Sequence, residues 1–221
     1  DGFGKFGALS HDEDWACEAR RYYFNICGKY GVQVQNVLKK VASLDVKTIC
    51  PLHGPVLSGN LEYYLKLYDL WSSYEPERNG VCICYASVYG HTGEVARLLE
   101  RKLKERDILV VCHDLNRGDW SKAVADAFCY DKLVLASITY NGEIFPSMKL
   151  FLEALTERGY RGRKVALIEN GTWAPVAYKI MAAYVEKWKN ITIANNHVTI
   201  RSAINETVRA QVDALAEELC G

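Results

Sequence analysis

VCICYASVYGHTGEVARLLERKL, residues 81–103, decides how this chain is read. Val81–Tyr85 is an unbroken apolar run of strand length. From Gly93 to Arg106 the apolar residues return at Val95, Leu98, Leu99 and Leu103, which is helical spacing. Between the two lie Ser87, Val88, Tyr89, Gly90, His91 and Thr92. Such a turn is either a plain cap, since serine and threonine favour helix starts, or a cradle for a phosphate. A helix N-terminus offers free N–H groups and the positive end of a dipole. Gly90 lets the backbone approach closely, Ser87 and Thr92 can donate hydrogen bonds, and His91 can do so with or without an added proton. Lysine and arginine are absent from 87–92. Neither Gly-x-x-x-x-Gly-Lys nor Gly-x-Gly-x-x-Gly is present, which argues against a P-loop and a dinucleotide turn.

The same beat continues downstream. Strands are expected at 108–112, 132–138, 164–168 and 190–194. Helices are expected at 121–128, 146–158, 175–187 and 205–219, with Pro146 in a first turn where its missing N–H is harmless. Five strands alternating with five helices predict an α/β fold, a doubly wound five-stranded parallel sheet covered on both faces. Cys82 and Cys84 are read as core residues on opposite faces of the first strand. Residues 1–73 do not follow this pattern: helices are expected at 14–29, 32–43 and 61–72, with a brief strand at 46–50. The polar run 74–80, with Pro76 and Gly80, is read as a linker between 1–73 and a domain spanning 81–221.

Bulk properties exclude several classes. In 221 residues, 27 Lys and Arg balance 27 Asp and Glu, so neither nucleic acid nor an anionic membrane is predicted as partner. No apolar run approaches a bilayer span, and no signal-peptide pattern is present. Eight cysteines lie scattered without a Cys-x-x-Cys pair, which suits mostly buried thiols and a cytoplasmic location. The tyrosines at 22, 23, 63, 64 and 68 are read as packing.

In a doubly wound sheet, ligands sit beyond the carboxyl ends of the strands where the strand order reverses. The loop after the third strand carries Ile138, Thr139, Tyr140, Asn141 and Gly142; the loop after the fourth carries Asn170, Gly171, Thr172, Trp173, Ala174 and Pro175. Each offers one large aromatic among small polar residues. Either the aromatics fold back onto the sheet, or they stack a flat, polar-edged ligand. Taken with a phosphate cradle, the second option describes flavin mononucleotide (FMN), with these loops as its cofactor-binding residues.

Ser87-Val88-Tyr89-Gly90-His91-Thr92 resembles the Ser-x-aromatic-Gly-x-Thr flavin-phosphate loop of the flavodiiron proteins, or A-type flavoproteins. Ile138–Asn141 with Phe145-Pro146-Ser147, and Trp173 within Asn170–Pro175, resemble that family's second and third flavin loops. Upstream, Asp1-Gly2-Phe3-Gly4, the segment Glu18–Ile26, and Cys50-Pro51-Leu52-His53-Gly54-Pro55 resemble parts of its metallo-β-lactamase-like diiron domain. Ile138 and Ala174 depart from the pattern. The resemblance implies a flavodoxin-like domain of strand order 2-1-3-4-5 preceded by the last part of that diiron domain. It also implies a diiron centre in which Asp1 would bridge the irons and His53 would be a terminal ligand.

The family's His-x-Glu-x-Asp-His motif is missing, and His11, His91, His113 and His197 do not replace it, so the chain is expected to be a C-terminal fragment with an incomplete metal centre. The implied activity is reduction of dioxygen to water or of nitric oxide to nitrous oxide. Electrons would come from a rubredoxin-like or flavin reductase donor, in a head-to-tail homodimer or a pairing with the missing N-terminal part. No residue of this chain is assigned a catalytic role. The alternatives are a flavodoxin-like quinone or nicotinamide-dependent reductase, and a non-catalytic electron-transfer module.

Overall fold

The structure, a computed structural model, describes residues 15–221. At its centre lies β1 (Arg78–Ala86), paired in parallel with β2 (Val110–Asp114) on one side and β3 (Tyr130–Tyr140) on the other. A two-residue strand, β4 (Glu143–Ile144), turns back antiparallel on the end of β3, and β5 (Lys164–Asn170) extends the sheet in parallel beyond it. The fifth position is shared. β6 (Thr192–Ile193) pairs with the start of β5 and β7 (Val198–Ile200) with its end, giving the expected 2-1-3-4-5 succession of parallel positions. The strand expected at 190–194 is only the short β6, the unexpected β7 takes up the position after a break, and the reason lies in Asn195 and Asn196. Their backbone amides leave the sheet to donate to the Glu218 carboxylate, at 2.9 and 2.8 Å.

Side chains alternate strictly between two cores, which is why the strands read as continuous apolar runs. Val81, Ile83, Val134, Ala136, Ala166 and Ile168 meet α4 (His91–Lys104) and α8 (Glu206–Cys220). Leu133, Leu135, Val165 and Leu167 meet α5 (Trp120–Cys129), α6 (Pro146–Glu157) and α7 (Ala177–Val185). Cys82 and Cys84 belong to this second core together, their sulfurs 3.6 Å apart. The expectation of opposite faces was in error, because residues two apart on a strand point the same way.

The N-terminal helices complete the second core. α1 (Ala16–Tyr22) runs through a π turn (Tyr23–Cys27) and a 3₁₀ turn (Gly28–Tyr30) into α2 (Gly31–Val41), and α3 (Leu61–Ser73) packs beside them. A π turn loosens the regular carbonyl ladder. Here Arg158 Nε donates to Phe24 O at 2.8 Å, its Nη2 to Asn25 O at 3.1 Å, and Tyr74 Oη to Gly28 O at 2.9 Å. That irregular turn presses Phe24 flat on Phe128 of α5, centroids 4.1 Å apart at 11°. Gly31 admits the close approach of α2 to α3, since a Cβ there would lie 2.3 Å from Ser72 O. The brief strand expected at 46–50 is only a bridge between Ile49 and Leu57. Tyr23 and Tyr64 are buried as packing residues, whereas Tyr63 is partly exposed.

Between α3 and β1, the side chain of Glu77 is buried. Its carboxylate accepts from Trp71 Nε1 at 2.6 Å and takes both Nε and Nη2 of Arg20, the latter at 3.0 Å. Arg20 also faces Asp126 of α5 at 3.6 Å, and Asp126 meets His113 Nε2 of β2 at 2.9 Å. Burial works against the Arg20 charge, but the bond to Glu77 outweighs it and holds the guanidinium above its ordinary value. Among the described residues no helix is long and apolar enough to cross a membrane.

Two outcomes follow from these ion pairs. Glu77→Ala leaves the buried Arg20 without its hydrogen-bonded carboxylate, with only Asp126 at 3.6 Å opposite it, and is expected to lower unfolding free energy by about 3 kcal/mol, read by urea denaturation. For Glu218, burial opposes the charge, but the amides of Asn196 and Asn195 and the Lys164 ammonium prevail and hold its carboxyl at about 2 against an ordinary 4.5. A depressed carboxyl stabilises the fold above its ordinary value and loses that contribution as it protonates. The stability gap between the native chain and Glu218→Gln should therefore close as the pH falls from 4.5 to about 2, in denaturation curves taken across that range.

Candidate functional site

The segments at the carboxyl ends of β1, β3, β5 and β7 converge on one end of the sheet and enclose a cleft of about 170 Å³. The loop after β1 gives Ser87 and Tyr89, with His91 and Thr92 at the start of α4; the end of β3 gives Ile138 and Thr139; the end of β5 and the loop after it give Asn170, Gly171 and Thr172; the loop after β7 gives Ser202. The sequence placed three of these loops together. It missed Ser202, because the strand before it was expected too early.

The first loop ends in the start of α4. Gly90 sits at φ 97°, a left-handed conformation that favours glycine, and a Cβ there would touch nothing, so conformation rather than space is its constraint. The first helical bond runs from Glu94 N to Gly90 O at 2.8 Å, so the amides of 91–93 precede the helical ladder. Gly93 lets the helix settle on Tyr85, whose ring a Cβ would approach to 2.9 Å. Burial, with Asp114 adding to it, raises the Tyr85 phenol, while Arg97, donating to its oxygen at 2.9 Å, partly offsets this. Ser87 is only 3% exposed, and its hydroxyl has no hydrogen-bond partner. A buried hydroxyl without a partner is uncommon and asks for an explanation.

Cross-links hold the loops in place. Asn170 Nδ2 donates to Thr92 Oγ1 at 3.2 Å and to Ser202 O at 3.5 Å, tying three loops together. Thr139 Oγ1 accepts from the amides of Val176 and Ala177 at 3.0 and 3.3 Å, so it braces the start of α7. Asn116 donates to Ser87 O at 2.9 Å and accepts from Ser147 at 2.5 Å, anchoring the first loop to α6. Asn116 carried no sequence signal beyond a polar turn after β2. Gly171 must stay small, since a Cβ would lie 2.9 Å from the Pro175 backbone.

The aromatics of these segments are open to solvent. Tyr89 is 90% exposed, Trp173 94%, and Tyr140 47% with its ring edge-on to Phe145 at 5.4 Å. Val88 is partly exposed, and Thr172 and Ala174 are exposed in the third loop. Asn141 and Gly142 form the β3–β4 turn at positive φ, and Gly142 borders a separate groove with Glu143, Lys149 and α7. Folding back onto the sheet thus does not describe Trp173, while Tyr140 is half exposed. His53 is exposed and stacks on Tyr22, centroids 5.4 Å apart. Asp1 lies outside the described residues. Among those, no group of three His, Cys, Asp or Glu side chains could hold a metal ion.

The family model for the flavodoxin domain matches residues 82–195. A type A flavoprotein of Rhodobacter capsulatus is 26% identical over 175 residues, 76% of this chain and 40% of that protein. An uncharacterised protein of Methanocaldococcus jannaschii is 27% identical over 135 residues, 61% and 34% respectively. Among solved structures, the flavodiiron protein of Giardia intestinalis superimposes with a TM-score of 0.84 at 20% identity, over 99% of this chain and 57% of its own. Rubredoxin oxygen:oxidoreductase of Desulfovibrio gigas does so with 0.83 at 18%, over 93% and 52%. The chain therefore spans between a third and two fifths of these curated relatives and about half of these structures.

Replacing Ser87 by alanine removes a buried hydroxyl that makes no bond. The ligand-free Ser87→Ala chain is expected to be about 1 kcal/mol more stable, measured by urea unfolding.

Proposed function

The chain belongs to the flavodoxin domain family, and we propose that its cleft binds flavin mononucleotide. In this reading it is the electron-delivering part of a flavodiiron oxidoreductase that reduces dioxygen to water or nitric oxide to nitrous oxide. The Ser87 hydroxyl, buried and unpartnered where the free amides of α4 begin, carries the reading. It fits an acceptor-rich anion at that point. Thr92 supports it: its oxygen accepts from Asn170, which leaves its own O–H to donate. The amides of 91–93 and the dipole of α4 supply the rest of a phosphate cradle. Tyr89, which lines the cleft, and Tyr140 and Trp173 of the neighbouring loops offer wide rings to water, and a flat ring system is what would cover them.

Bound flavin would supply storage of one or two electrons. The chain's own contribution is to bind the phosphate by dipoles and hydroxyls, to orient the ring between exposed aromatics, and to shield one face from water. A rubredoxin-like or flavin reductase protein is the proposed donor, and a second copy of the chain, head to tail, the proposed assembly. Iron enters only through His53 and Asp1, and the described residues alone do not make an iron site.

Titration with FMN should turn the protein yellow and quench Trp173 fluorescence. Trp173→Ala is expected to weaken FMN about three- to tenfold, the worth of one aromatic stack. An intact, folded chain that fails to bind FMN would sink the proposal.

A further inference from the structure

Among the described residues, the cleft has one lining side chain that can become a cation. Ser87, Thr92, Asn170 and Ser202 bring only hydroxyls and an amide, and His91 sits at the first position of α4. On its own helix, Glu94 Oε2 stands 3.7 Å from His91 Nδ1. From the other elements around the cleft, the described residues at the ends of β3 and β5 and in the loops after β5 and β7 contribute no ionisable side chain to its lining, and the loop after β1 contributes only the Tyr89 phenol. Beside them, the unpartnered Ser87 hydroxyl and the amides ahead of the Glu94 bond mark where an anion would be held. A phosphate monoester bound there would meet dipoles at every pH, and a full positive charge only when His91 is protonated.

We propose that His91 is a pH-dependent phosphate ligand: its protonated imidazole donates a charge-assisted hydrogen bond to the ester phosphate. It thereby tightens the site for FMN, and not for the flavin ring, as the pH falls from about 8 to 6. This rests on the reading of the cleft as an FMN site. The ligand's own phosphate loses charge near about pH 6, so the effect must be read as a ratio between two proteins at each pH.

The test is a fluorescence titration of the 221-residue chain and of His91→Asn with FMN and with riboflavin, which lacks the phosphate, at pH 6 and pH 8.5. His91→Gln serves as a second variant, and circular dichroism confirms that each folds. The native chain is expected to bind FMN about tenfold more tightly than His91→Asn at pH 6, converging to within about twofold at pH 8.5. Riboflavin affinities should match throughout. FMN binding with a ratio that does not change with pH, or an equal change for riboflavin, overturns the role of His91. Absence of FMN binding to the native chain at either pH overturns the flavin reading itself.

Discussion

The structure depends on the divergence of two crossovers. The chain leaves β1 towards β2 on one side of the sheet, and leaves β3 towards β5 on the other. The loops after these neighbouring strands are therefore pulled apart, and the gap between them cannot be closed by backbone. A crevice at the carboxyl ends of β1 and β3 is the geometric result. Everything proposed about ligand binding lies within it. The first loop brings a helix start to one wall, the third brings Asn170 to the other, and Asn170 spans the gap to Thr92 and to the Ser202 carbonyl. The cleft is thus held open by side-chain hydrogen bonds across it.

Rigidity around that crevice is built from polar side chains used twice. Asn116 serves the Ser87 carbonyl and the Ser147 hydroxyl, and Thr139 serves two amides at the start of α7. Glu169, buried one residue before Asn170, accepts from Tyr178 N at 2.9 Å and from the Thr199 hydroxyl at 3.0 Å. These fix the loops from beneath and leave Tyr89 and Trp173 to solvent. A site with a firm floor and the exposed Tyr89 ring at its lip suits a ligand that enters from the edge.

Much of this was legible in the sequence, for identifiable reasons. Double-sided burial makes β1, β3 and β5 continuous apolar runs, and these runs located the sheet and the loops beyond it. Of the short edge pieces, β6 fell within the strand expected at 190–194 and β7 was missed, because two or three residues carry no period and the Glu218 contact that parts them is 22 to 23 residues away. Ser202 was lost for the same reason. Cys82 and Cys84 were misplaced by a slip in strand periodicity. The π turn at Tyr23–Cys27 has no pattern of its own; it exists because Arg158, over 130 residues away in sequence, takes its carbonyls.

That distant arginine has an evolutionary corollary. Phe24 lies flat on Phe128, and the carbonyls behind it are bound by a side chain at the end of α6. The sheet and the helices before it thus share a seam with both aromatic and polar stitching. Such a seam resists shuffling: a recombinant joining this sheet to a foreign leader would inherit a bare phenyl face and an arginine with nothing to grip. Lineages that exchange the leader must rewrite both sides of the seam together.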